Sequence, residues 1–430
     1  MGKFVVPTTI PTTIPKTIPK TIPKTIHKAL LALTVPACRV VPPRVYSPWV
    51  KYNLERAGCL YTKIGQWMGS RTDLFPLELT DSLQSLQTSA YPMTSATVTD
   101  VITSSGLEFD HFDPIPISSG SIAHVHRAVY KGAQVAVKVQ RPGLLKDIED
   151  DVRLVTWVLN LFSGEGERRM VDDMKKTLHE LVQSVRNETD FVEEAGHMER
   201  YRAFFSGTLC IPQVVLGSPT VLIMEYVPST PYTGDASVLM KLFYDQFFEF
   251  GYLHTDLHAG NIGMSSTQEL VLYDFGSVIR IPEDTVIGMK ALLVSYMNKN
   301  TALMLEYMLE YGIMESRHQP IPDDEMQMLQ KFIENVLSYI EVTDMDQFAT
   351  MMKSTPLTAP TCTFTDHIFI IVRSFTLMEG ICKRIDPDFV IIEAAMPLAR
   401  SFVNDPMFLA LKIEDDLRHV DHIHRKILQS

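Results

Sequence analysis

Cysteine is sparse in these 430 residues. The five present (Cys38, Cys59, Cys210, Cys362 and Cys382) lie far apart and form no Cys-x-x-Cys pair. That argues against a structural zinc site and a disulfide framework, and for a reducing or redox-neutral compartment. Long apolar runs are missing too. The most tempting stretch, residues 203–224, carries no charge but is interrupted by Pro212 and by Gly217-Ser218-Pro219. It reads as two strands around a turn, not as a membrane span, and we expect a chain without a transmembrane segment. Nor is positive charge in surplus, since 39 Lys and Arg face 51 Asp and Glu for a net charge of −12. Nucleic-acid binding needs clustered cations against phosphates, so that class is excluded. With 46% hydrophobic and 21% charged residues, the chain is too apolar for disorder and long enough for two or three packed units.

Acid is absent from residues 1–54, which carry +8 and leave −20 for the remainder. Prolines at 7, 11, 15, 19 and 23 keep a four-residue period built on Thr-Ile-Pro-Lys. Each removes an amide donor and disfavours helix in the residue before it. We therefore expect a low-complexity tail over 1–50, extended through residue 25, with a short basic amphipathic turn at 27–41. A targeting segment is basic and acid-free, as this is, but usually Arg- and Ser-rich. Targeting and an idle tail both remain open. Val6 stands where myristoylation of Gly2 would require Ser or Thr.

The chemistry begins further on. Ser118-Ser119-Gly120-Ser121-Ile122-Ala123-His124-Val125-His126 leads through Lys131-Gly132 into Val135-Ala136-Val137-Lys138-Val139. The pattern predicts strand, small-residue turn, strand, hairpin, strand. Small residues at 119–121 let backbone amides approach phosphate oxygens, and a lysine ending the Val-Ala-Val strand points into the same cleft. A serine-glycine loop alone is an ordinary turn; followed 18 residues after Gly120 by Lys138, it resembles the opening strands of a protein kinase.

Two further segments complete the set: His254-Thr255-Asp256-Leu257-His258-Ala259-Gly260-Asn261 and Val271-Leu272-Tyr273-Asp274-Phe275-Gly276. In kinases the first Asp, here Asp256, orients or deprotonates the acceptor. The Asn and second Asp, here Asn261 and Asp274, hold magnesium on the ATP phosphates. A lysine beside phosphates needs an acidic partner. Glu194 is the best placed, opening a helical run whose three-and-four spacing shares its face with Met198 and Tyr201. It lies 56 positions from Lys138, so a helical insert is expected over about 144–180. Leu222 to Val227 ends a strand where an adenine-binding hinge should lie, which nominates Glu225 and Val227. Lys138→Ala should then weaken nucleotide binding while leaving the fold intact.

Upstream stands Tyr61-Thr62-Lys63-Ile64-Gly65-Gln66, followed by Arg71-Thr72-Asp73-Leu74-Phe75-Pro76. This Lys-x-Gly-Gln segment resembles the signature of the UbiB (AarF-domain) family of atypical kinases. The rest follows in order: Val-Lys-Val-Gln-Arg-Pro-Gly (137–143), Glu188-x-Asp190, the Asp256 and Asp274 segments, Leu377-Met378-Glu379-Gly380 and Ile385-Asp386-Pro387-Asp388-Phe389. The resemblance covers about 51–395. It implies an α+β, bilobal protein-kinase-like fold with a helical N-terminal extension covering the active site. The extension would span 51–110, an N-lobe 111–230 and a helical C-lobe 231–430. Leu74, Leu77, Leu79, Leu83 and Leu86 would supply the extension with an apolar helix face.

By the same resemblance, Lys63 and Gln66 would meet Glu188 and Asp190 over the cleft and block access of ordinary protein substrates. The cofactors would be ATP and Mg2+. Family members support synthesis or distribution of coenzyme Q and other prenyl lipids at mitochondrial, plastid or bacterial membranes. The implied partners are a hydrophobic small molecule or prenyl lipid, a membrane surface contacted peripherally, and a lipid-biosynthetic complex. Three departures stand out: Gly120 replaces a family alanine, Leu257 and Ala259 replace frequent prolines, and His258 takes the place of a protein-kinase lysine. Every ligand position is kept, so an inactive relative is rejected. After Gly276 no Ala-Pro-Glu anchor precedes the helical stretch at 286–297. A protein Ser/Thr kinase and a nucleotide-binding scaffold are the alternatives.

Overall fold

Proline starts the helix that follows the short helical stretch at residues 26–28. Pro42 is extended, and Pro43 takes the first helical position of α1 (Pro43–Ala57). There the missing N–H costs nothing, and the fixed φ is already helical. The computed structural model describes residues 26–28, 31, 41–70, 75–84, 86, 93–161, 168–316, 321–340 and 362–403. The Thr-Ile-Pro-Lys repeat, most of the expected turn at 27–41, and 71–74 lie outside the described residues. One boundary is corrected: α1 begins inside the expected tail, because Tyr46 and Val50 are buried in a core that the composition of 1–50 conceals.

After α1 come α2 (Cys59–Ser70), α3 (Leu77–Gln84) and α4 (Ser95–Ser105). Strands β1 (His111–Ser119), β2 (Ala123–Tyr130) and β3 (Ala133–Gln140) precede α5 (Leu144–Leu161), α6 (Arg168–Glu188) and α7 (Phe191–Phe204). The chain continues with β4 (Val214–Gly217), β5 (Val221–Glu225), β6 (Ser229–Pro231) and α8 (Ala236–Phe248). Short strands β7 (Tyr252–His254), β8 (Ile262–Ser265), β9 (Leu270–Leu272) and β10 (Val278–Arg280) follow. The remainder is mostly helical: α9 (Glu283–Met297), α10 (Thr301–Glu310), β11 (Met314–Ser316), α11 (Asp323–Ile340), β12 (Cys362–Phe364), α12 (Asp366–Ile385) and α13 (Ile391–Phe402). No described helix is long and apolar enough to cross a membrane.

The chain divides into two units, one of residues 1–91 with 143–182 and one of 92–142 with 183–430. The first is helical. Leu54 and Ala57 of α1, Tyr61 of α2, and Leu79 and Leu83 of α3 close its core, with Leu86 just beyond. The expected leucine face is thus partly corrected: Leu77, in the first turn of α3, is 62% exposed, and Leu74 is not described. Gly65 explains one letter of the Lys-x-Gly-Gln motif. A Cβ there would meet Leu86 Cδ1 at 2.5 Å and Leu54 Cδ1 at 3.0 Å. Gln66 Nε2 donates to the Leu86 carbonyl at 3.2 Å beside it. We expect Gly65→Ala to destabilise this unit by about 1–3 kcal/mol through overpacking. Gly196→Ala, inside α7 with nothing within 4 Å of the new methyl, should instead stabilise by about 0.5–1 kcal/mol. Urea midpoints of the two variants moving in the same direction would refute this.

The second unit holds an antiparallel sheet in the order β1-β2-β3-β5-β4. Lys131 and Gly132 both have positive φ (52° and 79°), which makes the two-residue β2–β3 hairpin turn follow the twist of its strands. β4 and β5 are the two strands expected in the uncharged run, joined by a turn in which Ser218 N–H donates to Val221 O at 2.9 Å. Alternation along β3 separates two faces. Val135, Val137 and Val139 pack with Val98 of α4 and with Val221 and Ile223 of β5; Lys138 lies on the other face.

Candidate active site

Lys138 is 8% exposed, and its Nζ donates to Glu194 Oε1 and Oε2 at 2.8 and 2.9 Å and to Asp274 Oδ1 at 2.9 Å. Three elements deliver these groups. β3 carries the lysine between Val125 of β2 and Leu222 of β5. α7 carries Glu194 in its first turn, anchored by Asp190, whose carboxylate caps the helix by accepting Val192 and Glu193 N–H, both at 3.0 Å. Met198 and Tyr201 are buried on the same face as Glu194. Glu188 Oε1 accepts from Ser184 at 3.1 Å, and the Glu188 backbone lies against Gly276, 3.6 Å from where a Cβ would be.

Asp274 is held in the left-handed region at φ 56°, which Asp tolerates better than most side chains. Three contacts hold it there. Gly276 N–H donates to Oδ1 at 3.4 Å, Lys138 takes the same oxygen, and His254 Nε2 donates to the Asp274 carbonyl at 2.6 Å. The other ring nitrogen, Nδ1, accepts Asp256 N–H at 3.3 Å, so the two contacts fix the tautomer. His254 thereby ties the Asp256 loop to the Asp274 turn. Asn261 Nδ2 donates to the Asp256 carbonyl at 3.2 Å, leaving Oδ1 as the atom it can offer a cation. Tyr273 N–H donates to Asn261 O at 2.9 Å, which sets the two loops side by side.

Burial pushes the Glu194 carboxyl up to about 7 against the pull of Lys138. Burial also lowers Lys138, but Asp274 and Glu194 outweigh it and hold the ammonium above its ordinary range. Half of the Asp274 side-chain surface is open, yet its surroundings still penalise the charge; Lys138 overcomes that and keeps the carboxylate below its ordinary range.

The small-residue loop is pinned at both sides. Gly120 N–H donates to Ala123 O at 2.8 Å, while Arg141 Nε and Nη2 donate to Gly120 O at 3.3 and 2.9 Å. A Cβ at Gly120 would stand 3.3 Å from Ala123 O, so an alanine there would require that carbonyl to shift by a few tenths of an ångström. Ser119 and Ser121 flank it, half-buried. At the end of β5 the Glu225 N–H donates to Gln213 O at 2.8 Å, and Val227 O accepts the Tyr273 hydroxyl at 2.8 Å. Lys63 and Gln66 belong to the helical unit described above.

Residue spacing missed the roles of His254, which was legible only as part of the Asp256 segment, and of Arg141, which stood in the Gln-Arg-Pro-Gly motif without a job. It also missed His124, buried on β2 and accepting from Met93 N–H at 3.0 Å. Burial, then Arg141 and His126, lower His124 from 6.5 to about 4, and burial also lowers His126, His197 and His254. A depressed histidine loses stability as pH falls, because the unfolded chain takes the proton first. Glu194 acts in the opposite sense between 4.5 and about 7. With four groups against one, we expect urea midpoints to fall between about pH 6.5 and 4. Midpoints that rise over that interval would contradict it.

A family model described as an ABC1 atypical kinase-like domain matches residues 85–308. A Synechocystis protein is 26% identical over 389 residues, covering 84% of this chain and 66% of its own length. The chloroplastic proteins Activity of BC1 complex kinase 7 and 8 of Arabidopsis thaliana are 26% and 27% identical, over 84% of this chain and 55% and 54% of theirs. The chain thus spans about half to two thirds of the length of these relatives. The solved complex of Rv3197 with erythromycin from Mycobacterium tuberculosis aligns with a TM-score of 0.50 at 22% identity, over 71% of this chain and 82% of that one. That is a likeness of fold. The family match covers more than half of the chain and takes in every element from the Gly120 loop to the Asp274 turn, so the chain belongs to the ABC1 atypical kinase-like family.

Proposed function

We propose that this protein binds magnesium-ATP and spends it, by hydrolysis or by phosphoryl transfer to a hydrophobic small molecule, in support of prenyl-lipid (coenzyme Q or plastid quinone) synthesis or distribution. The observation that carries the reading is Lys138 shared between Glu194 and Asp274, with Asp256 and Asn261 on the adjoining loop. Lys138 would meet ATP phosphates, with the Gly120 loop amides beside them and the adenine near Glu225 and Val227. The free oxygens of Asn261 and Asp274 are hard donors that fit magnesium, which would neutralise phosphate charge when bound. Asp256 would hold the acceptor and take its proton.

In the same reading, the protein would be a bilobal kinase-like body with a helical N-terminal extension, and Lys63, Gln66, Glu188 and Asp190 would be the residues of the family gate. The chloroplastic names of two relatives favour a plastid over a mitochondrion. A protein-substrate kinase is disfavoured by the short path after Gly276. Val278–Arg280 pairs with β7, and α9 begins at Glu283, leaving no extended platform for a peptide. The test is phosphate release from magnesium-ATP with and without anionic vesicles containing a prenyl quinone. Stimulated release supports the reading; tight ATP binding without release favours a scaffold, and labelled lysate proteins a protein kinase.

A further inference from the structure

The catalytic loop from Asp256 to Asn261 contains no Lys or Arg. His258 occupies the slot that protein kinases give to a lysine, and its Nδ1 accepts the Gly260 N–H at 3.0 Å, which closes the turn. A phosphoryl group moving toward an acceptor beside Asp256 would bring its negative oxygens up to a carboxylate with no loop cation to offset them.

A cation arrives from another element. Arg373, near the middle of α12, places Nη2 3.6 Å from Asp256 Oδ1 with 51% of its side chain exposed. Its helix is seated firmly. The neighbouring Phe375 ring lies 4.8 Å from Phe243 and 5.9 Å from Phe247 of α8, and Ser374 and Met378 are buried. A guanidinium has five N–H donors in a planar fork suited to phosphate oxygens. Among the described residues Asp256 is the one acid with which Arg373 pairs, so most of the fork is available.

We propose that Arg373 is a catalytic residue of phosphoryl transfer, a guanidinium supplied by α12 that binds the transferring phosphoryl oxygens beside Asp256. It replaces the lysine missing from the loop. The assignment rests on the ATP-using reading of the site. In the step, the acceptor oxygen of water or a hydroxyl forms a bond to the γ-phosphorus. The bond from that phosphorus to the β–γ bridging oxygen breaks, and its electron pair leaves on ADP. The acceptor proton passes to the Asp256 carboxylate. Arg373 keeps its charge throughout.

The test uses the full chain and three variants, Arg373→Met, Arg373→Lys and the double variant Arg373→Met with His258→Lys. Turnover at saturating magnesium-ATP, magnesium-ATP affinity and thermal unfolding are measured for each. R373M is expected to lower kcat at least roughly tenfold while nucleotide affinity stays within about twofold. R373K should keep most activity, and the lysine at 258 should recover part of what R373M loses. Turnover of R373M at or above the wild-type value overturns the assignment, and the second result would make Arg373 a mask over Asp256. Loss of affinity and melting temperature together, with no recovery from the lysine at 258, also overturns it in favour of a structural role. A wild-type protein that binds magnesium-ATP and never turns it over sinks the ATP-using reading itself, and the assignment with it.

Discussion

Lys138→Ala should destabilise the protein by about 3–5 kcal/mol at pH 8, the usual cost of stranding one member of a buried ion pair. From sequence this change is expected to leave the fold intact, and the burial of the Lys138–Glu194 pair adds a stability cost to that expectation. Glu194 is 1% exposed, and Lys138 reaches both of its oxygens. Without the ammonium the carboxylate keeps the Phe275 N–H at 3.3 Å and faces the Asp274 carboxylate with no cation between them. The loss should depend on pH in a defined direction. Glu194 already has its pKa raised from 4.5 to about 7 in the folded protein, and removing Lys138 raises it further. A raised acid favours the folded state where it is protonated, so its penalty grows as pH climbs through the folded value. The difference between variant and wild type should therefore be smaller at pH 6 than at pH 8, and the buried histidines cancel in that difference. Adding Glu194→Gln should recover much of the lost stability without restoring nucleotide binding. A variant within about 1 kcal/mol of wild type at both pH values would show that the pair contributes nothing.

Asp274→Asn separates chemistry from folding. Asparagine tolerates the left-handed backbone as aspartate does, and its amide oxygen can still take the Gly276 N–H. Lys138 keeps Glu194. With half of the Asp274 side chain open, the change should cost about 1 kcal/mol of stability or less. Turnover should fall on the order of 10²–10³-fold, because under the proposed function the lost charge would be the one that holds magnesium on the phosphates. Calorimetric unfolding together with phosphate release checks both halves. Unchanged release would remove Asp274 from the chemistry, and collapse of the fold would show that its charge is structural.

The strands were readable because alternation is local: Val135, Val137 and Val139 must share one face, so Lys138 must take the other. Helical spacing works in the same way, and it placed Glu194 on the face of Met198 and Tyr201 before any contact was known. The kinase-like segments were likewise legible, since a loop that holds phosphates or a metal repeats its residue types at short, fixed intervals. The tertiary structure decided what depends on residues far apart in the chain. Gly65 is small because Leu86 fills its space, 21 positions later, and no periodicity shows that. The start of α1 was hidden because a proline-rich, basic composition masked two buried side chains. The positive φ of Asp274 and its hydrogen bond from His254 are invisible in a string that reads Asp-Phe-Gly. Arg373, 117 positions after Asp256, comes beside it through the aromatic packing of α12 on α8. Short-range order follows from backbone geometry and residue type, whereas the meeting of distant charges follows from which apolar faces bury each other.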